Sequence, residues 1–184
     1  MAPYPGMLVS EERAATAELA RHFLELGHRR IAMIEGPPRF RSAQERKEGF
    51  LGALTASGLP LEVELRPGDY GFDSGLAAAQ SLLALERPPT AIFACNDTMA
   101  AAVVKTAREA GVSMPDQLSV AGFDDADLAS MISPALTTIR RPLRDMAQAA
   151  TEQLLTMITQ PHSRLPPTPV GLNLIFRSST APPP

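Results

Sequence analysis

Polar side chains follow two apolar runs of this sequence, at the points where buried strands would end. Asn96 and Asp97 come directly after the run Ala91-Ile92-Phe93-Ala94-Cys95, and Asp124-Asp125 follow a second apolar run. Short apolar runs of this kind are typical of strands that are buried on both faces of a parallel sheet. Because open α/β sheets bind ligands at the carboxyl ends of their strands, the amide and the carboxylates predict a small-molecule site at that edge.

The elements that position these groups follow from apolar periodicity and from breaker residues. Helices are predicted at 11–26, 42–57, 73–85 and 98–110, and Gly27, Gly58 and Gly111 end three of them. Strands are predicted to begin near residues 30, 62, 91 and 118. A strand followed by a helix about every 30 residues predicts an α/β fold with a parallel sheet flanked by helices and joined by right-handed crossovers.

The last third of the sequence departs from this regular alternation of strands and helices. A short strand is predicted at 134–139, and Pro142 then opens a long helix whose apolar residues share one side: Leu143, Met146, Ala150, Leu154 and Ile158. A proline-rich crossing at 161–169 leads to a final strand predicted at 170–176.

Composition limits the function classes. The 184 residues are 45% hydrophobic, which is enough for a globular core, and the formal charge of −3 argues against this chain holding DNA by itself. One cysteine excludes an internal disulfide and a multi-cysteine zinc site, and fits a reducing compartment. No apolar run approaches the roughly 20 residues that cross a bilayer, and residues 1–25 do not read as a signal peptide. We expect a cytoplasmic protein without membrane segments.

Nine motifs, in register from about Val9 to Thr180, resemble those of the lactose-repressor/galactose-repressor family of bacterial transcription regulators. They are Glu25-Leu26-Gly27-His28-Arg29-Arg30-Ile31-Ala32, Gly36-Pro37, Arg46 with Gly49-Phe50, Pro89-Thr90-Ala91, Asn96-Asp97-Thr98-Met99-Ala100, Pro115-Asp116-Gln117-Leu118-Ser119-Val120, Gly122-Phe123-Asp124-Asp125, Leu136-Thr137-Thr138-Ile139 and Arg177-Ser178-Ser179-Thr180. The resemblance implies a periplasmic-binding-protein-like effector-binding region, built from two lobes.

The resemblance also implies a domain organisation. Residues 1–10 are a lead-in, 11–139 the carboxyl-terminal lobe, 140–169 a crossing segment and helix that belong to the incomplete other lobe, 170–180 the final strand, and 181–184 a tail. The chain is then a piece of a longer repressor whose DNA-reading helix-turn-helix lies outside it. Without the other lobe, the helix after Pro142 would expose its apolar side chains, so we expect it to fold back or to pair with another chain.

Two ligand contacts are carried over from the family. Arg46 resembles the arginine whose planar donors fork onto effector oxygens, although the residues alone equally fit a solvated helix arginine. Asp124 resembles the carboxylate that accepts hydrogen bonds from ligand hydroxyls or ring nitrogens, and its alternative is a turn or cap residue.

The remaining candidates are less specific. Helix capping accounts fully for Asp97, so we assign the ligand contact to Asn96 and leave Asp97 as a cleft residue that caps the helix. Tyr70 matches a position where a ring stacks on a sugar or base, or is an exposed loop tyrosine, and Ser42 is a further candidate. Arg141 stands where the family often has glutamine, which favours an anionic effector or is a surface charge.

Three functions remain open from the sequence. The leading one is a non-enzymatic effector-sensing and dimerisation region of a transcriptional repressor, which binds a sugar-like metabolite without metal or cofactor, controls DNA binding allosterically through the absent domain, and acts as a homodimer. The second is the sugar-binding protein of a transport system. The third is a metal-dependent phosphatase that uses Asp124-Asp125-Ala126-Asp127, but no later lysine and acidic ligand stand in a matching frame.

Overall fold

The computed structural model describes residues 6–160 and 165–184, and its centre is a six-stranded sheet. In chain order the elements are β1 (Leu8–Ser10), α1 (Glu12–Glu25), β2 (Arg30–Ile34), α2 (Arg41–Ala56), β3 (Glu62–Arg66), α3 (Phe72–Leu83), β4 (Ala91–Ala94), α4 (Asp97–Glu109), β5 (Ser119–Asp124), α5 (Asp127–Met131), β6 (Thr137–Arg140), α6 (Leu143–Thr159), β7 (Thr168–Val170) and β8 (Asn173–Ile175).

The strands of the main sheet follow the order β3-β2-β4-β5-β6-β8. All neighbouring pairs are parallel except β6 with β8, where Thr138 lies opposite Ile175 in an antiparallel ladder. Every residue of β4 is buried, as are all residues of β2 after Arg30, so both faces of the sheet centre are covered. The predicted α/β fold class is confirmed.

Four phenylalanines mark the core between helices and sheet. Phe23 of α1, Phe50 of α2, Phe93 of β4 and Phe123 of β5 are fully buried. The ring of Phe50 lies edge-on to Phe23, with 6.2 Å between centroids, and 5.0 Å from Phe93. These contacts join both helices to the centre of the sheet, and apolar burial of this kind is the main favourable term in folding.

The first four predicted helices are confirmed, each to within two residues at either end. The single final strand predicted at 170–176 is wrong. The chain there forms two short strands in different sheets, because β7 pairs with β1 and β8 pairs with β6. The proline-rich crossing predicted at 161–169 falls partly outside the described residues.

The strands β1 and β7 form a small separate parallel sheet beside α6. Helix α6 buries none of its residues, and Leu143, Leu154 and Ile158 are each more than half exposed. The expectation that this helix exposes its apolar side is therefore confirmed, whereas the alternative that it folds back onto the lobe is wrong. No helix in the described part of the chain has the length and apolarity that a bilayer-crossing helix needs.

Candidate functional site

Arg46 lies in the second turn of α2 and is almost entirely buried beneath the carboxyl edge of the sheet. Its Nε donates to Glu12 Oε2 at 2.6 Å, its Nη1 donates to the backbone oxygen of Cys95, and its guanidinium carbon lies 3.5 Å from the centroid of the Phe123 ring. Burial acts to lower the pKa of Arg46, but hydrogen bonding and attraction to Glu12 and Asp124 outweigh it and raise that pKa. The solvated-arginine interpretation is therefore wrong.

Asp124 ends β5 at the same edge, in the left-handed region of backbone conformation with φ of 110°. Its Oδ1 lies 3.8 Å from Arg46 Nη2 and 3.6 Å from Arg141 Nη1, which are ion-pair distances too long for hydrogen bonds. Among the described residues this buried oxygen has no hydrogen-bond partner. Burial raises the pKa of Asp124, and the two arginines oppose that rise.

Arg141 directly follows β6, and its guanidinium lies within ion-pair distance of Asp124. Its side chain is 31% exposed, yet its Nε is buried and has no hydrogen-bond partner among the residues that the structure describes. The backbone N–H of Arg141 points to the carbonyl oxygen of Asp124 at 3.5 Å. Arg46, Asp124 and Arg141 therefore form one cluster, with Asp124 between the two guanidinium groups.

The roles that the sequence assigned to Asn96 and Asp97 need correction. Asn96 caps α4 by accepting from Met99 N at 2.9 Å, and its Nδ2 donates to the carbonyl oxygen of Tyr70 at 2.9 Å. Both ends of the amide already have protein partners, although each keeps capacity for one more hydrogen bond. The capping role assigned to Asp97 thus belongs to Asn96.

The side chain of Asp97 is buried, accepts hydrogen bonds from two other segments of the chain, and does not reach the cleft. Its Oδ1 accepts from Thr138 Oγ1 at 2.6 Å, and its Oδ2 accepts from the backbone N–H of Ala126 at 2.8 Å. The side chain is 2% exposed, and burial raises its pKa to about 6. Asp97 therefore connects α4, the segment after β5 and strand β6, and so holds the segment that carries Asp124.

Tyr70 lies beside the cluster, with its ring centroid 5.9 Å from the guanidinium carbon of Arg46. It has φ of 72°, an unusual backbone conformation for a tyrosine, and its ring stacks on Phe40 with 6.1 Å between centroids. The Tyr70 ring also lies against Gly36, where an added Cβ would collide with its hydroxyl. Burial raises the pKa of Tyr70, while Arg46 lowers it and Ser42 faces its hydroxyl. The Tyr70 hydroxyl is buried without a hydrogen-bond partner among the described residues, so Ser42 lies near it but does not bond it.

Asp125, which follows β5 at the same edge of the sheet, forms ion pairs with two arginines. Arg140 Nε and Arg177 Nη2 each donate to one of its carboxylate oxygens at 2.6 Å. Burial acts to raise the pKa of Asp125, but the hydrogen bonds and charges of Arg177 and Arg140 lower it overall. Both oxygens are thus engaged by arginines, which does not suit the phosphatase alternative.

His28 has a structural role at the opposite side of the core from this cluster, where it joins three segments of the chain. It is buried between Thr90, Ser119 and the C-terminal segment, with Nδ1 2.9 Å from Thr90 Oγ1 and Nε2 3.0 Å from the carbonyl oxygen of Ala181. Because a carbonyl oxygen only accepts, Nε2 carries the proton and Nδ1 accepts from the threonine hydroxyl. Burial lowers the pKa of His28 to about 4.

Three residues that pair with groups of this site were not predicted from the sequence. Glu12 pairs with Arg46, Thr138 with Asp97, and Arg177 with Asp125. Thr138 and Arg177 stand in two of the nine motifs but without an assigned role, and Glu12 shows locally only as an acidic residue in the first turn of α1, which fits a helix-dipole charge. Of the predicted residues, Arg46, Asp124, Arg141 and Tyr70 come together with Asn96 beside them, Ser42 lies near the Tyr70 hydroxyl without bonding it, and Asp97 faces the interior.

Residues 20–180 match the family model of the periplasmic binding protein-like domain. A probable HTH-type transcriptional repressor ExuR of Bacillus subtilis is 37% identical over 85% of this chain and 47% of its own length. Among solved structures, a LacI transcriptional regulator from a Rhodococcus species has a TM-score of 0.87 and 30% identity, covering 95% of this chain and 64% of its own. A LacI family regulator from Enterococcus faecium, solved with bound ribose, has a TM-score of 0.84 and 30% identity, covering 94% and 64%.

This chain belongs to the periplasmic binding protein-like domain family, in the form carried by lactose-repressor/galactose-repressor regulators. The resemblance read from the nine motifs is thereby confirmed. The chain spans about half the length of the first curated relatives it matches, and under two thirds of the solved chains. These relatives are transcription regulators, which favours a regulator over a transport protein.

Proposed function

We propose that this chain is the effector-sensing region of a bacterial transcription repressor and that it binds a sugar-like metabolite at the Arg46–Asp124–Arg141 cluster. One observation carries the proposal: Asp124 Oδ1 is buried and unpartnered between two guanidinium groups at the carboxyl edge of a parallel sheet. An unpaired buried acceptor costs free energy, and a ligand hydroxyl removes that cost by donating to it. The bound ribose of the Enterococcus faecium relative is consistent with this chemistry.

The residues divide into ligand contacts and supports. Asp124 accepts from ligand hydroxyls, and Arg46 and Arg141 donate to ligand oxygens, Arg46 through its remaining Nη2 hydrogens. Tyr70, whose ring already stacks on Phe40, borders the ligand through its ring edge, and Asn96 supplies a further donor and acceptor. Glu12 holds Arg46, and Asp97 holds the segment that carries Asp124. No step of this function is enzymatic, and none of it requires a metal or cofactor.

The wider regulatory role is part of the same proposal. Residues 11–139 form the carboxyl-terminal lobe, and 140–169 belong to a second lobe that closes over the effector. Effector binding changes the separation of two DNA-binding arms in a cytoplasmic homodimer, with DNA read by a helix-turn-helix outside this chain. The effector shifts this equilibrium because it binds one of the two states more tightly.

A thermal-shift screen tests the effector site. The chain is heated with neutral sugars, sugar acids, sugar phosphates and purines, each present in large excess. A ligand that binds only the native state stabilises it by about 2.7 kcal/mol at a concentration one hundred times its Kd, which raises the melting temperature. We expect a stabilising ligand whose effect is lost in Asp124→Asn, a variant that keeps the shape of the side chain.

The matched control is Asp116→Asn, at an exposed carboxylate that contacts Ser113 away from the cluster. It should leave the ligand-induced shift unchanged. Equal stabilisation of the parent and Asp124→Asn by the same ligand would place the binding elsewhere on the chain.

A further inference from the structure

Arg141 differs from the other arginines at this edge in how its guanidinium is engaged. Arg140 and Arg177 each donate to Asp125 at 2.6 Å, and Arg46 donates to Glu12 at the same distance. The nearest ion-pair contact of Arg141 among the described residues is 3.6 Å, to Asp124. Its positive charge is therefore only loosely compensated.

The Nε of Arg141 adds a second observation. This atom is shielded from solvent and has no acceptor among the described residues, while the rest of the side chain stays 31% exposed. A buried donor that is left unpaired costs free energy, more so when the donor group is charged. The Nε and Nη edge of a guanidinium is also the edge that engages a carboxylate or phosphate through two parallel hydrogen bonds.

The cluster has more hydrogen-bond donors than acceptors. Arg141 brings Nε and Nη1, and Arg46 brings Nη2, whereas Asp124 Oδ1 is the acceptor that lies between them. Glu12 already pairs with Arg46, so the unmet need lies in the hydrogen bonds of Arg141, and a polyol hydroxyl makes only a single, uncharged contact with its Nε and Nη edge. A ligand with an anionic group for Arg141 and a neighbouring hydroxyl for Asp124 satisfies all of these atoms.

We infer that the effector of this site is a hydroxylated anion, a sugar acid or a sugar phosphate, whose anionic oxygens pair with Arg141 while a hydroxyl donates to Asp124. This inference rests on the proposed function and assigns Arg141 as the residue that selects charge. The hydroxyl lies between the anionic group and the Asp124 carboxylate, so the two negative charges do not meet directly.

The test measures Kd by nuclear magnetic resonance titration of the isotope-labelled chain with matched ligand pairs. The pairs are glucose with glucuronate, galactose with galacturonate, and glucose with glucose 6-phosphate. We expect the anion of at least one pair to bind about tenfold or more tightly than its neutral partner, which corresponds to about 1.4 kcal/mol. Whether the preferred anion is a carboxylate or a phosphate identifies the source of the charge.

Three variants locate the origin of that preference. Arg141→Gln should raise the Kd of the anion about tenfold and change that of the neutral sugar less than about twofold, and Arg141→Lys should recover part of the anion's affinity, since lysine keeps the charge without the fork. Arg87→Gln removes an exposed arginine that pairs with Glu62, and should change neither Kd.

The possible failures are distinguishable. Neutral sugars that bind as tightly as their anions in every pair, or an anion preference that survives in Arg141→Gln, would overturn this inference and leave the proposed function standing. Absence of binding by both members of all pairs would contradict the proposed function, and the inference with it.

Discussion

Glu12 Oε2 accepts from Arg46 Nε at 2.6 Å in an ion pair that is almost completely withdrawn from solvent, with side chains 4% and 5% exposed. The pair joins the first turn of α1 to α2 and fixes the guanidinium whose Nη2 points towards Asp124. Glu12 thus neutralises Arg46 without using the edge of the guanidinium that faces the cluster.

Removing Glu12 should therefore destabilise the fold strongly. Glu12→Ala leaves the buried charge of Arg46 without its partner, and the loss of one member of a buried pair costs about 3–5 kcal/mol. Urea unfolding followed by circular dichroism measures this change in the free energy of unfolding. Glu48→Ala is the control, because Glu48 pairs with Arg13 between the same two helices but at an exposed position, where such pairs contribute about 0–1 kcal/mol. Equal losses in the two variants would contradict the assigned role of burial.

Two glycines of α2 should respond in opposite directions to the same substitution. A Cβ at Gly49 would collide with the backbone oxygen of Arg13 in α1, whereas a Cβ at Gly52 meets nothing within 4 Å. Gly49→Ala should therefore force the helices apart and lower the free energy of unfolding by about 1–3 kcal/mol. Gly52→Ala should raise it by about 0.5–1 kcal/mol, since alanine loses less conformational entropy in a helix. The same urea experiment measures both.

The fold was predictable from local patterns because the periodicity of each strand and helix lies within its own residues. Breaker residues such as Gly27 and Gly58 set helix ends, and the apolar run at β4 marked the centre of the sheet. The prediction of a single final strand was wrong because it too used only local patterns. Whether the residues beside Gly171 continue one strand or form two depends on their partners β1 and β6, which are distant in sequence.

The site was only partly predictable. The predicted strand ends show which side chains lie at the edge of the sheet, so Asp124 and Asn96 could be identified as site residues from the sequence. What each side chain does there depends on distant partners. Asn96 and Asp97 cap a helix equally well in local terms, and the choice is made by Thr138, which lies 41 residues from Asp97. Glu12 and Arg46 are 34 residues apart, so no local pattern pairs them.

The apolar side of α6 should make the chain self-associate. Leu154 and Ile158 are 57% and 64% exposed, and together with Leu143 they leave an unburied apolar stripe on a helix that the lobe does not cover. We expect sedimentation equilibrium to show concentration-dependent association with a second copy of the chain, and Leu154→Lys with Ile158→Lys to weaken it. The polar control is Thr151→Lys with Glu152→Lys on the same helix. A monomer at all concentrations would contradict this prediction.

His28 should make stability fall as the solution becomes acidic. Its pKa is about 4 in the folded chain, against about 6.5 when exposed, so the unfolded state binds more protons between these values. The free energy of unfolding should therefore decrease from pH 6.5 to pH 4, by roughly 3 kcal/mol from this residue.

The difference between the parent and His28→Gln isolates that contribution, because the variant lacks the titrating group. His22→Gln is the control, since the His22 ring contacts the Thr180 hydroxyl in the same region but is only partly buried. A pH slope that is the same in the parent and in His28→Gln would contradict the role assigned to the imidazole.

Asp97 should show the opposite pH dependence. Burial raises its pKa to about 6 from an ordinary value near 3.8, so the folded state binds the proton more tightly across this window. Its contribution to the free energy of unfolding should therefore fall as the pH rises from about 4 to 6. Asp97→Asn removes the titration but keeps both hydrogen bonds, because the amide oxygen accepts from Ala126 N–H and the Thr138 hydroxyl reorients to accept from the amide.

We thus expect Asp97→Asn to lie within about 1 kcal/mol of the parent at neutral pH and to lose the slope, whereas Asp97→Ala should cost about 1–3 kcal/mol by leaving both partners unpaired. Because Ala126 N–H anchors the segment that carries Asp124, Asp97→Ala should also weaken effector binding in the thermal-shift assay. Unchanged ligand affinity in Asp97→Ala would show that the position of Asp124 does not depend on the hydrogen bonds of Asp97.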